Sequence, residues 1–364
     1  MAAAQDGAYR MTSLDIDNDG AMEVAVVQEA AGQVVVYRQS ANTAAGTLVV
    51  AFSLGGLTQA RGVAAADLDA DGLADIVAGG RDRLVFLRNS GNAGTFAETT
   101  VASDVVGVHD IVLADVTGDG HKDIVFSEHS NNRITVIPTH PSEEHGGVLF
   151  STPVYITGIT SPLGIAVGDV TGDGRADVVV ACASGGGDGD GGAVAVVTAA
   201  AAAAAGEADL TSGWQVQIAL QTTGMGLDVA VADLDGDGVA EIVTVDAGTN
   251  EVLAGALDGG VFVVVQLSRS VDAPAALVAA DYNGDCLPDI AVAERGAGRV
   301  SVLTNTGQTF GTRLPVFTQE AVLRGIGGAS CVLFADVNSD HSLDVLASAD
   351  AQHIAVAHST CELS

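Results

Sequence analysis

The segment Asp233-Leu234-Asp235-Gly236-Asp237-Gly238-Val239-Ala240-Glu241-Ile242 has acidic residues at its first, third, fifth and ninth positions and glycine at its sixth. The pattern Asp-x-Asp/Asn/Thr-x-Asp-x-x-x-Asp/Glu, followed by Ile or Val, occurs seven times in the 364 residues. The copies are 48 to 64 residues apart and begin at Asp15, Asp67, Asp115, Asp169, Asp233, Asp281 and Asp336. A period near 50 residues is typical of one four-stranded blade of a β-propeller.

Apolar segments flank each copy of the pattern, as in 108–114 before the third copy and 123–126 after it. A second pair of strand-like segments follows, here 133–138 and 148–156. Each repeat therefore predicts strand A, an acidic loop, and strands B, C and D, counted outward from the axis. We predict an all-β fold, a single seven-bladed β-propeller domain over 1–364, with four-stranded blades of about 50 residues at 1–57, 58–104, 105–158, 159–222, 223–270, 271–324 and 325–364.

Three details of the repeats carry further predictions. Asn89-Ser90-Gly91 and Asn305-Thr306-Gly307 are typical turn sequences before strand D. The longest step, in blade 4, is explained by insertions at 184–192 and 199–205, which we interpret as lengthened surface turns. Blade 7 has little chain left for strand D, so either it is short or residues outside this chain complete it.

The composition of the chain argues against a nucleic-acid partner and against membrane insertion. With 46 acidic and 14 basic residues, the formal net charge is −32. Such a field repels phosphate backbones and anionic lipid, so we predict no nucleic-acid partner. The longest apolar run, 193–205, is mostly alanine and too short to span a bilayer, so we predict no membrane insertion.

The acidic loops have the chemistry of a calcium site. Ca²⁺ takes six to eight oxygen ligands, and alternate residues of a tight turn can direct their side chains inward together. Glycine at position 6 permits the reversal, position 7 offers its backbone carbonyl, and position 9 closes the shell. We predict one Ca²⁺ in each blade, up to seven in all.

Each predicted ligand set combines the side chains at positions 1, 3, 5 and 9 with the carbonyl at position 7. In chain order the sets are Asp15, Asp17, Asp19, Ala21 and Glu23; Asp67, Asp69, Asp71, Leu73 and Asp75; Asp115, Thr117, Asp119, His121 and Asp123; Asp169, Thr171, Asp173, Arg175 and Asp177; Asp233, Asp235, Asp237, Val239 and Glu241; Asp281, Asn283, Asp285, Leu287 and Asp289; Asp336, Asn338, Asp340, Ser342 and Asp344.

These sets contain 24 of the 46 acidic residues, and seven ions of charge +2 would change the net charge from −32 to −18. Cys286 and His341 replace the glycine at position 6 of loops 6 and 7. Because positive φ strains a residue that has a Cβ, we predict that these two loops bind the ion most weakly.

The repeats resemble FG-GAP/VCBS repeats, which occur in integrin α-subunit propellers and in many secreted microbial and algal proteins. The resemblance covers essentially the whole chain, although the chain lacks the long insertions that could engage a partner subunit. It implies structural Ca²⁺ sites and an extracellular or cell-surface location. The first six residues lack the basic and apolar segments of a signal peptide, so we expect the chain to be a fragment.

The ring face opposite the loops is the predicted ligand surface. Strand A begins there, and polar residues at a channel mouth can form a binding site for a protein or a carbohydrate. Ordinary solvated rim residues are the alternative interpretation. The candidates lie five or six residues before a first aspartate and are Tyr9, Arg10, Arg61, His109, Asp110 and Asp228.

The four cysteines allow two pairings at the C-terminus. Strand C runs toward the loop face, so Cys361 would emerge near Cys286 of the neighbouring blade, and a Cys286–Cys361 disulfide would close the ring. Cys331–Cys361 is the alternative, and all four thiols could also be free. Cys182 lies in strand B of blade 4, where we expect a buried free thiol.

No nucleophile–base pair stands apart from the predicted ligands, so we predict that the chain is not an enzyme. The favoured function is a non-catalytic, Ca²⁺-binding scaffold for adhesion or protein interaction. A carbohydrate-binding propeller is one alternative, although one Trp and four Tyr offer few faces for sugar stacking. A propeller domain of a larger secreted enzyme is the other. The sequence leaves the oligomeric state open.

Overall fold

A computed structural model of the chain describes residues 8–40, 48–91, 95–142, 147–184, 191–199, 213–309, 314–350 and 353–359. In these ranges the chain forms seven antiparallel sheets and one separate hairpin, and its helical structure is a single 3₁₀ turn at His129–Asn131. None of the helical segments described here is long and apolar enough to cross a membrane.

The strands follow one another around the ring in chain order. Blades 1 and 2 contain β1 (Ala8–Leu14), β2 (Glu23–Gln28), β3 (Gln33–Gln39), β4 (Leu48–Gly55), β5 (Gly62–Ala66), β6 (Asp75–Gly79), β7 (Leu84–Asn89) and β8 (Phe96–Ala102). Blades 3 and 4 contain β9 (Val108–Ala114), β10 (Asp123–Glu128), β11 (Arg133–Ile137), β12 (Thr139–Ser142), β13 (Gly147–Phe150), β14 (Val154–Ile156), β15 (Pro162–Gly168), β16 (Asp177–Cys182), β17 (Ala193–Thr198) and β18 (Gln215–Gln221).

The last three blades complete the ring. They contain β19 (Gly226–Ala232), β20 (Glu241–Asp246), β21 (Glu251–Asp258), β22 (Val261–Ser268), β23 (Pro274–Ala280), β24 (Asp289–Glu294), β25 (Arg299–Asn305), β26 (Phe317–Arg324), β27 (Val332–Ala335), β28 (Asp344–Asp350) and β29 (His353–Ala357). Each sheet lies within one of the predicted blades.

The first strand of every blade lines the axis. Each A strand contacts the A strand of the next blade, and β27 of blade 7 contacts β1 of blade 1, so the ring is closed. The predicted all-β, seven-bladed propeller is therefore confirmed. Six blades have four strands, whereas blade 7 has three, β27 to β29, within the described residues.

The core lies between the blades. Strand B is buried on both faces, which explains why its sequences, such as Val-Val-Val-Ala in β16, are continuously apolar. Val27 and Val34 of blade 1, for example, belong to one cluster with Ile76 and Val85 of blade 2. A single blade cannot bury both of its faces alone, so each blade depends on its two neighbours.

Blade 3 differs from the prediction in one respect. The segment 148–156 is not one strand, because β13 pairs with β12 in a separate hairpin and β14 alone pairs with β11 as strand D. Pro138 and the polar residues after it interrupt strand C and start the hairpin. In blade 4, most of the predicted insertions, at 185–190 and 200–205, lies outside the described residues.

Candidate metal-binding loops

The seven acidic loops each join strand A to strand B. Every A strand ends at or just before the first aspartate, and every B strand starts at the position-9 acid. Because all A strands run in the same direction, the loops lie together on one face of the ring. The fold therefore brings the predicted ligands of each blade into one turn and repeats that turn around the axis.

One set of hydrogen bonds recurs in all seven loops. The N–H of position 6 donates to the position-1 carboxylate at 2.7–2.9 Å. The N–H of position 7 donates to the position-5 carboxylate at 2.8–3.0 Å. The N–H of position 2 donates to the position-9 carboxylate at 2.8–3.2 Å. These bonds fix the turn through the acidic side chains themselves.

Position 6 has a left-handed backbone in every loop. The five glycines there have φ between 80° and 89°, while Cys286 and His341 have φ of 68° and 67°. The predicted positive φ at these two residues is thus confirmed, and it is a conformation that residues with a Cβ rarely adopt. Position 4 is also left-handed in all seven loops, which the sequence analysis missed. Its signal was the glycine or asparagine found there in loops 1, 3, 4, 5 and 6.

Three loops gather three acidic side chains closely enough to share an ion. In loops 1, 2 and 5, a ligand oxygen from each of three acids lies within 4.8 Å of the other two. The group is Asp15, Asp17 and Asp19 in loop 1; Asp67, Asp69 and Asp71 in loop 2; and Asp233, Asp235 and Glu241 in loop 5. These are the loops whose third position is aspartate. The other four loops have Thr or Asn at that position, so a neutral oxygen would replace a charged one.

Predicted ligand oxygens are buried without a hydrogen-bond partner in loops 2 and 3. They are Oδ1 of Asp67 and Oδ1 of Asp123. Burying a polar oxygen without a partner is costly, and a bound cation would remove that cost. The donor set consists of hard oxygens, as Ca²⁺ prefers. The residues present therefore fit the predicted ion.

The position-9 acids are the buried members of the ligand sets. All seven are at most 5% exposed. Burial raises the pKa of Glu23, Asp75 and Glu241 to about 7 and that of Asp123 to about 6. Burial also raises the pKa of Asp177, Asp289 and Asp344. A buried carboxylate with a raised pKa is poorly solvated when charged, and a cation beside it would stabilise the charged form.

Basic side chains touch four of the loops, and the sequence analysis predicted none of these contacts. Arg88 of β7 forms ion pairs with Asp69 and Asp71 of loop 2. Arg175 Nη2 lies 2.7 Å from Asp173 in loop 4, and His140 Nδ1 lies 3.6 Å from Asp119 in loop 3.

In loop 7 the basic contact reaches the buried acid. His358 Nδ1 lies 3.2 Å from Oδ1 of Asp344, the position-9 residue, and it also lies 3.2 Å from Nδ2 of Asn338 at position 3. His358 therefore occupies one carboxylate oxygen, Oδ1 of Asp344, that the ion would need. This is a second reason, besides His341, for weak binding in loop 7.

Two asparagines connect a loop to the preceding blade. The N–H of Asn89 donates to Oδ1 of Asp75 at 2.8 Å, and its side-chain Nδ2 donates to the carbonyl of Ile16 in loop 1, also at 2.8 Å. Asn305 repeats both bonds, to Asp289 at 2.7 Å and to the carbonyl of Leu234 in loop 5 at 2.9 Å. The predicted turns are present, but their asparagines also tie neighbouring loops together.

A comparison with protein families agrees with this geometry. The model of the FG-GAP-like repeat matches residues 15–78, 67–126, 233–292 and 281–347, which together are more than half of the chain. The chain belongs to the FG-GAP-like repeat family. A search of the curated proteins found no match.

Each match starts at the first aspartate of a loop and ends in or just after strand B of the next blade. The FG-GAP-like unit therefore spans two consecutive loops and the strands between them. The matches include loops 1, 2, 3, 5, 6 and 7. Loop 4 lies before the insertions of blade 4, where the spacing to the next loop is greatest.

On the opposite face of this FG-GAP-like ring, the six predicted ligand-face residues do come together. Tyr9 hydrogen-bonds through its hydroxyl to Nε2 of His109, and the Arg61 guanidinium lies 5.0 Å from the centre of the Tyr9 ring. Arg61 also pairs with Glu29 at 2.6 Å. Arg10 pairs with both Asp110 and Asp228.

These residues contact one another, and three of them are buried. His109, Asp110 and Asp228 are 8%, 6% and 2% exposed. The alternative interpretation, solvated rim residues, is therefore wrong for these three. The side chains meet because each A strand lines the axis.

The cysteines fall into two environments. Cys286 is exposed on the loop face, whereas Cys182 and Cys331 are buried, and no disulfide joins any two of these three described cysteines. The free thiol expected at Cys182 is thus confirmed. Cys361 lies outside the described residues, so its pairing with Cys286 or Cys331 stays a prediction.

Proposed function

We propose that this FG-GAP-like propeller is a non-catalytic interaction scaffold stabilised by Ca²⁺. One observation carries the proposal: the same hydrogen-bonded turn, with a buried position-9 carboxylate, recurs in all seven blades. Ligand oxygens left without partners support a cation there. A repeated site suits a structural role, since catalysis would need one blade to differ from the others.

The side chains at positions 1, 3, 5 and 9 would hold the ion, with the position-7 carbonyl. When bound, the ion supplies positive charge that offsets the repulsion between three or four carboxylates. The hydrogen bonds at positions 1 and 5 keep the turn in shape, and the position-9 acid fixes the start of strand B. Because the ion would bind the folded loops, Ca²⁺ binding and folding are coupled.

The loops are expected to differ in affinity. Loops 1, 2 and 5 offer four acidic side chains each, and loops 3 and 4 offer three with a threonine hydroxyl. Loops 6 and 7 have the strained residues Cys286 and His341, and in loop 7 His358 also contacts Asp344. We therefore place loops 6 and 7 last in the order of filling.

Buried acids outside the loops support a scaffold rather than an enzyme. Glu128 accepts hydrogen bonds from Arg133 and Thr135, and Glu294 accepts one from Arg299 at 2.8 Å. Asp246 accepts the N–H groups of Thr223 and Gly248, both at 2.8 Å. These carboxylates hold turns and strand ends, and we assign no catalytic residue.

We place the scaffold outside the cell and its partner on the face opposite the loops. Extracellular modules work with Ca²⁺ affinities of about 10⁻⁴–10⁻³ M, which suits loops of mixed ligand charge. A groove of about 410 Å³ lies on that face between blades 1 and 2, lined by Glu29, Ala30, Ala31, Gly32, Leu57, Thr58 and Gln59. A groove of this size would accept a side chain of a partner protein.

Thermal unfolding with saturating Ca²⁺ and with excess chelator tests the ion, with bound Ca²⁺ counted by elemental analysis of the same sample. We expect five to seven ions per chain and a fall in Tm on the order of 10 °C or more upon chelation. The absence of bound Ca²⁺, together with an unchanged Tm, would contradict the calcium proposal.

The partner class is tested separately on a glycan array, using the protein with Ca²⁺ and the variant Gln59→Trp, which fills the groove. We expect no glycan to bind, in keeping with a protein partner. Glycan binding that Gln59→Trp abolishes would replace the protein partner with a carbohydrate.

A further inference from the structure

A buried ionic cluster lies at the channel mouth opposite the loops. Arg10 of blade 1 donates from Nη1 and Nη2 to the two carboxylate oxygens of Asp228 in blade 5, at 3.1 and 2.8 Å. The same Nη2 lies 2.9 Å from Oδ2 of Asp110 in blade 3. The three side chains are 18%, 3% and 8% exposed. One guanidinium thus joins three blades that are not neighbours in the ring.

The three residues occupy the same place in their repeats. Each lies five positions before the first aspartate of its loop, where the other four blades have Gly62, Gly164, Ala276 and Cys331. A Cβ on Gly164 would lie 2.5 Å from Oδ1 of Asp228 and 3.0 Å from Nη2 of Arg10. The cluster therefore fits because the intervening blades have small residues at this position.

Bulges in strand A place these side chains at the axis. The pairing of strands A and B shifts register between Ala8 and Arg10 of strand A in blade 1, and between Gly226 and Val229 of strand A in blade 5. In blade 3 the shift lies between Phe126 and Glu128 of strand B, opposite strand A. Such bulges redirect a side chain.

The carboxylates also reach the blades next to their own. Asp110 accepts the N–H of Ile165 in blade 4 at 3.0 Å, and Asp228 accepts the N–H of Leu277 in blade 6 at 3.1 Å. The cluster therefore connects blades 1, 3, 4, 5 and 6.

We propose that Arg10, Asp110 and Asp228 form a central latch that keeps the ring closed. Within the described residues, blades 7 and 1, the last and the first in the chain, share no sheet. An apolar cluster and a backbone hydrogen bond of 3.3 Å, from Met22 N to Asp336 O, join them. The latch anchors blade 1 to the middle of the ring, so blade 1 cannot move away from blade 7 without breaking buried, charge-assisted bonds. This role is independent of Ca²⁺.

The test is Arg10→Met, which keeps much of the side-chain volume but leaves two carboxylates buried without their cation. Because such a loss is strongly destabilising, we expect Tm to fall by at least about 5 °C, both with Ca²⁺ and with chelator. Hydrogen exchange should rise at least about tenfold in β1, β2, β27 and β28, on the two sides of the seam, with a smaller rise in blade 4. The matched control is Arg83→Met, which breaks the half-exposed 2.8 Å pair with Glu98 and should leave Tm within about 1 °C.

An unchanged Tm, or an exchange increase spread evenly over all blades, would overturn the latch. If Arg10→Met does not fold, Asp228→Asn is measured in the same way, because it keeps the shape of the side chain while removing its charge. Failure of Asp228→Asn to raise exchange at the seam between blades 7 and 1 would count equally against the proposal.

Discussion

The two ends of the channel are built from the same seven strands in opposite ways. At the loop end, each blade repeats one turn, and nearly all the hydrogen bonds that shape it join residues within nine positions of each other. At the other end, the corresponding position holds Arg, Asp, Gly, Ala or Cys depending on the blade, and Arg10 bonds to residues 100 and 218 positions away. The loop end is local and repeated, whereas the mouth is non-local and occurs once.

This difference shows how a repeat protein can combine modular and unique parts. Each repeated turn depends mainly on residues of its own loop. One blade can therefore lose its ion site while the other blades keep theirs. A cluster shared by several blades requires each of them to be in place, and it makes the ring more cooperative.

The largest effect is expected from Asp75→Asn, which removes the charge of a fully buried position-9 acid in loop 2. With Ca²⁺ present, the variant should lose one bound ion and about 3 kcal/mol of unfolding free energy, because both the ion and a hydrogen bond to the turn are weakened. With chelator present, the loss should fall below about 1 kcal/mol, since the asparagine no longer buries an uncompensated charge. Chemical unfolding with and without Ca²⁺ measures both values.

The control for that variant is Asp258→Asn, at an exposed acid outside the loops. It should change neither the ion count nor the stability by more than about 0.5 kcal/mol. Equal losses for Asp75→Asn with and without Ca²⁺ would contradict a metal role for the position-9 acid.

A smaller effect is expected from Asn305→Ala, which cuts the bond between blades 5 and 6. The variant leaves the carbonyl of Leu234 without that donor in a buried site, so we expect a loss of about 2 kcal/mol. Gln308→Ala, at an exposed residue of the same turn, is the matched control and should be nearly neutral. Equal stabilities of the two variants would show that the contact between the loops is not important for stability.

Relieving strain in loop 6 should act in the opposite direction. Cys286→Gly replaces a residue at φ 68° with one that adopts this conformation freely, so we expect a net gain of about 0.5–1 kcal/mol and a several-fold tighter site. The reverse change, Gly238→Cys in loop 5, should weaken its site by a similar factor. Calcium titrations of both variants check this, and an unchanged affinity in both would show that the strain does not control the site.

The smallest expected difference concerns reactivity rather than stability. Cys286 is exposed at the loop end, whereas Cys331 at the mouth and Cys182 in blade 4 are buried, and burial raises the pKa of both buried thiols to about 12. In the native protein at pH 8, a thiol reagent should modify Cys286 in preference to Cys182 and Cys331. If Cys286 reacts only after reduction, it takes part in a disulfide, as predicted with Cys361. Fast modification of Cys331 would show that the mouth opens readily.

The ring and its loops could be predicted from the sequence because their signals are local. The spacing of the acidic pattern gave the number of blades, and glycine at position 6 marked a left-handed turn that Cys286 and His341 also adopt. The left-handed position 4 was equally local, and the glycine or asparagine found there was an available signal. The division of 148–156 into β13 and β14 was not predicted, because short apolar segments carry little information about their pairing.

The contacts of Arg88 and His358 with the loops could not be predicted either. Arg88 lies within an ordinary strand C sequence and His358 follows the last strand, and neither belongs to a repeated pattern. Only the folded blade shows that each side chain ends at an acidic loop. The same holds for Asn89 and Asn305, whose turn role was visible in the sequence while their bond to the preceding blade was not.

The sequence by itself determined the number of blades, the place of each acidic loop between strands A and B, and the oxygen-rich chemistry of those loops. Each of these features depends on residues fewer than ten positions apart or on a regular period. Such patterns can be recognised in the sequence without knowing the fold. The tertiary structure alone decided that Arg10 meets Asp110 and Asp228 and that both carboxylates are buried. These contacts depend on closing the ring, which brings together residues that are distant in the chain and that no local pattern relates.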